Sequence, residues 1–301
     1  MRIGVDVGGT KIELAALDAA GEMRLCRRVP TPAGDYGATV EAIGALVELA
    51  EAELGARATI GIAAPGAFSR ANGFVKNANS TCLNGRPLRE DIERRLAREV
   101  RIANDANCFA LSEAVDGAGE GSDVVFGVIL GTGVGGGIVA NGRLLTGANA
   151  VAGEWGHNPL PLPTDDDQPL PRCYCGRRGC IETYLSGPAM SADHARRHGE
   201  ALGAEAIVAR AEEGDAAAAG TIAQYQARLA RSLATVINLL DPDVIVLGGG
   251  LANIRGLYSR VPSLWTPHVF SDEVATRLLP PRHGDSSGVR GAAWLWPDAP
   301  P

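Results

Sequence analysis

The sequence predicts an α/β protein built from two related domains. Two observations carry that prediction. An apolar strand running into a glycine turn and back out as a second strand occurs at residues 2–17 and again at 124–140, and strand-like and helix-like segments alternate after each. The chain has 301 residues, 46% of them hydrophobic, enough for one large or two ordinary domains with real cores.

In the first hairpin, residues 2–7 read as a strand, Gly8-Gly9-Thr10-Lys11 as a tight turn and residues 12–17 as its partner, with a third strand at 23–29. Asp6 points out of an otherwise apolar strand into the turn. Glycines let backbone N–H groups approach phosphate oxygens, Thr10 adds a hydroxyl, and Asp6 suits a magnesium ion held through water. An ordinary hairpin turn would look the same. Val40, Ile43, Val47, Ala50 and Leu54 then recur at helical spacing, followed by a strand at 58–63 that ends in Pro65-Gly66. Asn77, Asn79, Ser80, Thr81 and Asn84 make a loop dense in amides and hydroxyls, suited to a sugar or simply solvated.

Pro87 opens a helix, and a short strand at 100–103 runs into Asn104-Asp105-Ala106, with a helix expected over 107–115. Asp105 admits two readings. Asp before a helix is a favoured N-cap; a carboxylate at a strand's carboxyl end is also a general base for a substrate hydroxyl, kept ionised by the helix's positive end. Residues 117–122 form a glycine-rich break, the candidate hinge.

The second hairpin places Gly131-Thr132-Gly133-Val134-Gly135-Gly136-Gly137 after the strand 124–130. Gly131, Gly133 and Gly136 satisfy a dinucleotide fingerprint, but that requires a helix next, whereas Ile138-Val139-Ala140 leads into Asn141-Gly142, a type I′ hairpin signal. The dinucleotide reading is therefore excluded, and a repeated phosphate-gripping hairpin is expected. Residues 188–240 read as mostly helical, Asp241-Pro242 stops the last helix, and the buried strand 243–247 ends in Gly248-Gly249-Gly250. Backbone free of side chains there would admit a flat purine, or mark a plain turn. An edge strand over 274–279 and a final helix capped by Ser286 complete the chain.

His157, Cys173, Cys175 and Cys180 have the types and spacing expected of the imidazole and three thiolates of a tetrahedral zinc site; reduced cysteines in a loop with an unrelated histidine are the plain alternative. With four protein ligands the metal has no open position and holds shape. Glu154 and Glu182, each near a ligand, are held firmly enough to accept from sugar hydroxyls. The acidic, Pro-rich stretch 162–171 reads as a mobile loop. Cys26, Cys82 and Cys108 are isolated, as expected of buried thiols in a reducing compartment.

A net charge of −7 without a basic block argues against nucleic acid and for a metabolite. No apolar run approaches the ~18 residues of a membrane span, and Asp6 interrupts the N-terminal one, so neither signal peptide nor membrane span is expected and the location is cytoplasmic.

Together Asp6 to Lys11, Asn104-Asp105-Ala106, Gly131 to Gly137, Glu154 to His157 and Cys173 to Glu182 resemble, in order and over the whole chain, the sugar kinases of the ROK family. The resemblance implies a two-domain actin-like (hexokinase and Hsp70, ribonuclease H-like) fold with a cleft. It divides the chain into 1–117 plus 286–301 and 118–285. It implies Asp105 as catalytic base; Asp6, Gly8, Gly9, Thr10, Lys11, Gly131, Thr132, Gly133, Gly135 and Gly136 at the ATP phosphates with Mg2+; and Gly248, Gly249 and Gly250 near the adenosine. Asn79, Asn104, Asp105, Glu154, His157 and Glu182 would meet the sugar, and Zn2+ would be structural. His157 thus carries two jobs.

Within the family, residues 75–81 and 283–296 are most similar to bacterial fructokinases, while N-acetylglucosamine kinases share most of the other blocks. The implied reaction is ATP-dependent phosphorylation of a hexose at C6, fructose giving fructose 6-phosphate, with closure about 117–122 excluding water. Mannose, glucose and N-acetylglucosamine are the alternative acceptors, and homodimers are frequent in the family. A sugar-responsive repressor of the same family would carry a helix-turn-helix module ahead of Asp6, for which there is no room. A non-catalytic sugar-sensing regulator would not need Asp105 and both turns. A P-loop kinase is excluded because the Walker lysine motif is absent.

Overall fold

A computed structural model describes residues 1–296; residues 297–301, which the expected first domain includes, lie outside the described residues. The strands are β1 (Arg2–Val7), β2 (Lys11–Leu17), β3 (Met23–Pro30), β4 (Thr59–Ala64), β5 (Ala67–Phe68), β6 (Val75–Lys76), β7 (Arg101–Asn104), β8 (Val124–Leu130), β9 (Val134–Ala140), β10 (Arg143–Leu144), β11 (Val244–Gly248) and β12 (Arg277–Leu279). The helices are α1 (Tyr36–Leu54), α2 (Leu88–Leu96), α3 (Asp105–Val115), α4 (Glu182–Leu185), α5 (Gly187–His198), α6 (Ala204–Glu212), α7 (Ala216–Leu240), α8 (Leu257–Trp265) and α9 (Ser287–Trp294).

The chain divides into two compact units: Met1–Gly121 with Gly137–Ala152 and the stretch from Arg282 onward, and Ser122–Gly136 with Gly153–Pro281. Against the expected boundaries, residues 137–152 cluster with the first unit rather than the second. The reason is close packing on α3: a Cβ at Gly137 would stand 2.7 Å from the Ala106 carbonyl and 2.9 Å from Ala110 Cβ.

The first unit is organised by a five-stranded sheet of order β3-β2-β1-β4-β7. β1 pairs antiparallel with β2 and parallel with β4, and β4 pairs parallel with β7. Helix α1 starts at Asp35, whose side chain accepts from Ala38 N–H, and stops at Gly55 in the left-handed region. Its apolar positions Val40, Ile43, Val47 and Ala50 bury into a core with Ile3, Val5, Ile60 and Ile62. Helix α9 approaches β1, β4 and α3 so closely that Cβ atoms at Gly4, Gly61 and Gly291 would fall inside the carbonyls of Val289, Ala292 and Cys108. The fully buried Glu113 accepts from the N–H groups of Ala118 and Arg282 and from the Ser287 hydroxyl. It thereby ties the points at which the chain leaves and re-enters this unit.

The second sheet has order β10-β9-β8-β11-β12, the same arrangement of a hairpin plus two parallel strands, since β8–β11 and β11–β12 are parallel. The repeat anticipated from the two glycine hairpins therefore extends to whole sheets. Strand β9 begins at Val134, so Gly135, Gly136 and Gly137 belong to the strand rather than to the turn. Asn141 and Gly142 both have positive φ (51° and 69°), as a type I′ turn requires.

Three local expectations are corrected. Helix α3 starts at Asp105 and its cap is Asn104, whose side chain accepts from Ala106 and Asn107 N–H. Ser286 makes no capping bond; Ser287 instead donates to Glu113. The 162–171 stretch is pinned. Asp167, 1% exposed, is paired with Arg228 and Arg231 of α7 at 2.8 and 2.9 Å, and its Oδ2 also accepts from Thr164 N–H. Burial opposes ionisation there, but these donors hold its carboxyl down at about 2. β12 is the expected edge strand, shortened to Arg277–Leu279. Among the described residues no helix is long and apolar enough to cross a membrane.

Candidate active site and metal centre

In the first unit β1 delivers Asp6 to the mouth of the glycine turn. Gly8 N–H closes that turn on the Lys11 carbonyl at 3.0 Å, and a Cβ at Gly8 would stand 2.8 Å from the same oxygen. Thr31 clamps the turn from outside, its hydroxyl donating to Gly8 O and its N–H to Thr10 O. Gly9, Thr10 and Lys11 are exposed, and Lys11 Nζ lies 3.3 Å from the buried Glu13. A Cβ at Gly9 would stand 3.7 Å from Ser80 Oγ, so the turn faces the amide-rich loop. In that loop Asn84 fixes Ala78 through both its N–H and its carbonyl, while the exposed Asn79 accepts from Ser80 N–H.

Asn104 is held in place on both sides of its amide: its Oδ1 caps α3 and its Nδ2 donates to Gly66 O at 2.7 Å. Asp105, relieved of capping, has Oδ1 2.8 Å from Ala106 N. Burial raises its pKa, only partly offset by the Ala106 N–H and Asn104. The helix start was expected to keep this group ionised; desolvation opposes that and makes it a stronger base than an exposed aspartate. Asp6 is pushed up to about 7 by burial, then by Asp105 and Glu13, with Lys11 opposing. Two buried carboxyls, one of them raised by the other's charge, beside an exposed glycine turn are a fitting site for a divalent cation. The Asp6 carboxyl is the group that would hold Mg2+ through water.

In the second unit the Gly131–Gly133 turn is anchored at both ends. Val134 N–H donates to Glu182 Oε2 at 3.0 Å, and Gly187 N–H donates to the Gly131 carbonyl at 2.8 Å. Thr132 is exposed at its tip. Gly135 O accepts from the indole of Trp155, and a Cβ at Gly136 would stand 2.8 Å from Gly153 O and from Trp155. Gly248 ends β11, Gly249 takes φ 81° against the Leu130 backbone, and Gly250 opens the next short helix with open space beside it.

His157, Cys173, Cys175 and Cys180 converge, all four ligand atoms lying within 4.8 Å of one another. Cys173 Sγ is 3.6 Å from His157 Nδ1 and Cys175 Sγ 3.6 Å from Cys180 Sγ. A tetrahedron with Zn–S near 2.3 Å has edges of about 3.8 Å, so the donor set and spacing fit zinc. All six cysteines are free, Cys108 fully buried and Cys26 and Cys82 half-buried. His157 Nε2, the nitrogen turned from the sulfurs, lies 2.9 Å from the Tyr174 hydroxyl. Tyr174 stands edge-on to that ring, is 75% exposed, and has its pKa raised by partial desolvation and by the charges of Glu182, Cys173 and Glu154. It thus joins Glu154, Glu182 and His157 in one cluster. Sequence reasoning missed Tyr174, although an aromatic residue set between two metal ligands was the available signal.

A sequence model described as the ROK family matches residues 2–299. The chain belongs to the ROK family. An N-acetyl-D-glucosamine kinase of Salmonella typhimurium is 41% identical over 299 residues, spanning 98% of this ROK chain and 99% of the relative. The ROK hexokinase of Thermus thermophilus superposes with a TM-score of 0.86 at 31% identity, over 97% of this chain and 96% of that one. A ROK family glucokinase from Streptomyces griseus, in complex with glucose and AMPPNP, gives 0.78 at 30% identity, over 98% of both. These ROK relatives carry the actin-like, two-domain sugar kinase fold that the paired sheets of this chain repeat.

Proposed function

We propose that this chain is an ATP-dependent hexose 6-kinase whose acceptor is D-fructose. The observation that carries the reading is Asp105. It is free of the capping duty that Asn104 performs, is raised in basicity by burial, and stands beside Asp6 in a chain of the ROK family. In the proposed mechanism the Asp105 carboxylate accepts the proton of the C6 hydroxyl as the γ-phosphoryl group passes to that oxygen. Phosphoryl transfer asks mainly for positioning and charge stabilisation, and the turns Gly8–Lys11 and Gly131–Gly133, with Gly135 and Gly136 in the strand that follows, would supply backbone for it. Mg2+, when held through Asp6, supplies neutralisation of the phosphate charge. Gly248 to Gly250 would accommodate the adenosine, and Asn79, Asn104, Glu154, His157 and Glu182 the sugar hydroxyls. The Cys3His cluster would hold a structural Zn2+ that fixes Glu154 and Glu182 in register.

A second acceptor is favoured by a specific observation: N-acetylglucosamine, the sugar named for curated relatives 41% identical to this chain. Fructose rests on the likeness of residues 75–81 and 283–296 to bacterial fructokinases. A coupled ATP assay comparing kcat/KM across fructose, N-acetylglucosamine, mannose and glucose decides between them. The expected result is a preference for fructose of at least about tenfold; a preference for N-acetylglucosamine would transfer the reading to that sugar, and no turnover with any sugar would defeat the kinase assignment.

A further inference from the structure

The two glycine turns are braced differently. Around Gly8 to Lys11 the brace is neutral, the Thr31 hydroxyl and N–H on two carbonyls. Around Gly131 to Gly133 it comes from one segment, residues 180–187, that begins with a metal-ligand cysteine. Cys180 is bridged to Pro159, and Ile181 N–H donates to Asn158 O. Two residues after Cys180 the carboxylate of Glu182 receives Val134 N–H, and five residues further Gly187 N–H reaches the Gly131 carbonyl. The fit is tight, since a Cβ at Gly133 would stand 2.8 Å from Glu182 Oε2. A side chain at 133 would push that oxygen aside.

From this geometry we infer that Glu182 is a positioning residue for the nucleotide's triphosphate, acting through the Val134 N–H to set the shape of the Gly131–Gly133 turn. The inference rests on the proposed kinase reading and deepens it: a group there assigned to the sugar also holds the phosphate turn. Position and charge act oppositely on a triphosphate. The acceptor oxygen shapes the cradle, whereas the negative charge repels the phosphates. Gln at this position keeps an acceptor oxygen and drops the charge, while Ala drops both.

The test is the affinity of the zinc-loaded full chain for Mg·AMPPNP without sugar, by calorimetry, for wild type, Glu182→Gln and Glu182→Ala, with zinc content as the check on folding. Loss of a hydrogen bond to a charged acceptor corresponds to about a tenfold change in affinity. We expect Glu182→Ala to weaken binding by about that factor with zinc retained, and Glu182→Gln to bind as wild type or tighter. Unchanged or tighter binding by Glu182→Ala would overturn the inference, as would equal losses in both variants. If Ala alone loses zinc, Gln decides: weakened binding with zinc intact overturns it and preserved binding supports it. Wild type that turns over sugar and ATP yet keeps its nucleotide affinity in both variants sinks this inference alone. Wild type that binds no nucleotide sinks the kinase reading and the inference together.

Discussion

At the residue scale, Asp105 shows how neighbours in sequence and neighbours in space divide the work. Its place at a strand end before a helix was legible, but two functions competed for it, and only the side chain of Asn104, turned back onto Ala106 and Asn107, assigned the cap elsewhere. Replacing Asp105 with Asn keeps the size and removes the base. Turnover should fall by roughly 10²–10⁴-fold, with the KM for sugar changed little; wild-type turnover would remove Asp105 from the role. Because burial raises its pKa, the deprotonated form needed for catalysis is lost at a higher pH than for an exposed aspartate as pH falls. The acid limb of the kcat profile should accordingly sit higher than an exposed aspartate would give. The cysteines were legible for the opposite reason: three ligands within eight residues need no tertiary information to meet. The Glu182 to Val134 bond was not, since 48 residues separate its partners, and neither was the Tyr174 contact with His157, although the position of Tyr174 between two cysteines was.

At the scale of elements, the hairpins, the parallel strands and the long α7 followed from periodicity and turn residues. The acidic stretch 162–171 did not. Its composition suggests a solvated loop, yet Asp167 is drawn into α7 by Arg228 and Arg231, charges that lie on that helix's buried face where periodicity alone expects apolar residues. Asp193 shares Arg228 at 2.8 Å, and Tyr184 lies against the same guanidinium. Asp167→Asn would leave Arg231 without its buried partner and should cost about 3 kcal/mol in denaturant unfolding. The pH dependence has a definite sign. A carboxyl held at about 2 in the fold and near 3.9 when unfolded contributes about 2–3 kcal/mol above pH 4, lost as pH falls toward 2. Wild type should show that acid loss, and the Asn variant should lack it.

For the whole molecule, the repetition of one sheet order in both sheets explains why two glycine hairpins with little else in common take the same position, each following the first strand of its sheet. The metal ligands close a structure of short turns and isolated bridges around residues 155–182 with few long elements of its own. Stripping zinc with a chelator should therefore lower the melting temperature and lower kcat/KM together, with recovery on adding Zn2+, and Cys175→Ala should mimic the stripped protein. Zinc-free wild type of undiminished stability would contradict a structural metal.

The sequence by itself determined the α/β class, the duplicated hairpins and the His/Cys cluster suited to a metal, and it marked Asp105 without choosing between cap and base, because each is written in short-range pattern: alternation, glycine spacing, or cysteines close along the chain. Tertiary structure alone decided which residue caps α3, that 137–152 joins the first unit, that Asp167 is buried, and that Glu182 accepts from Val134 N–H beside the Gly131–Gly133 turn. Those outcomes depend on which distant backbone or charge arrives within hydrogen-bonding distance, and no local pattern carries that distance.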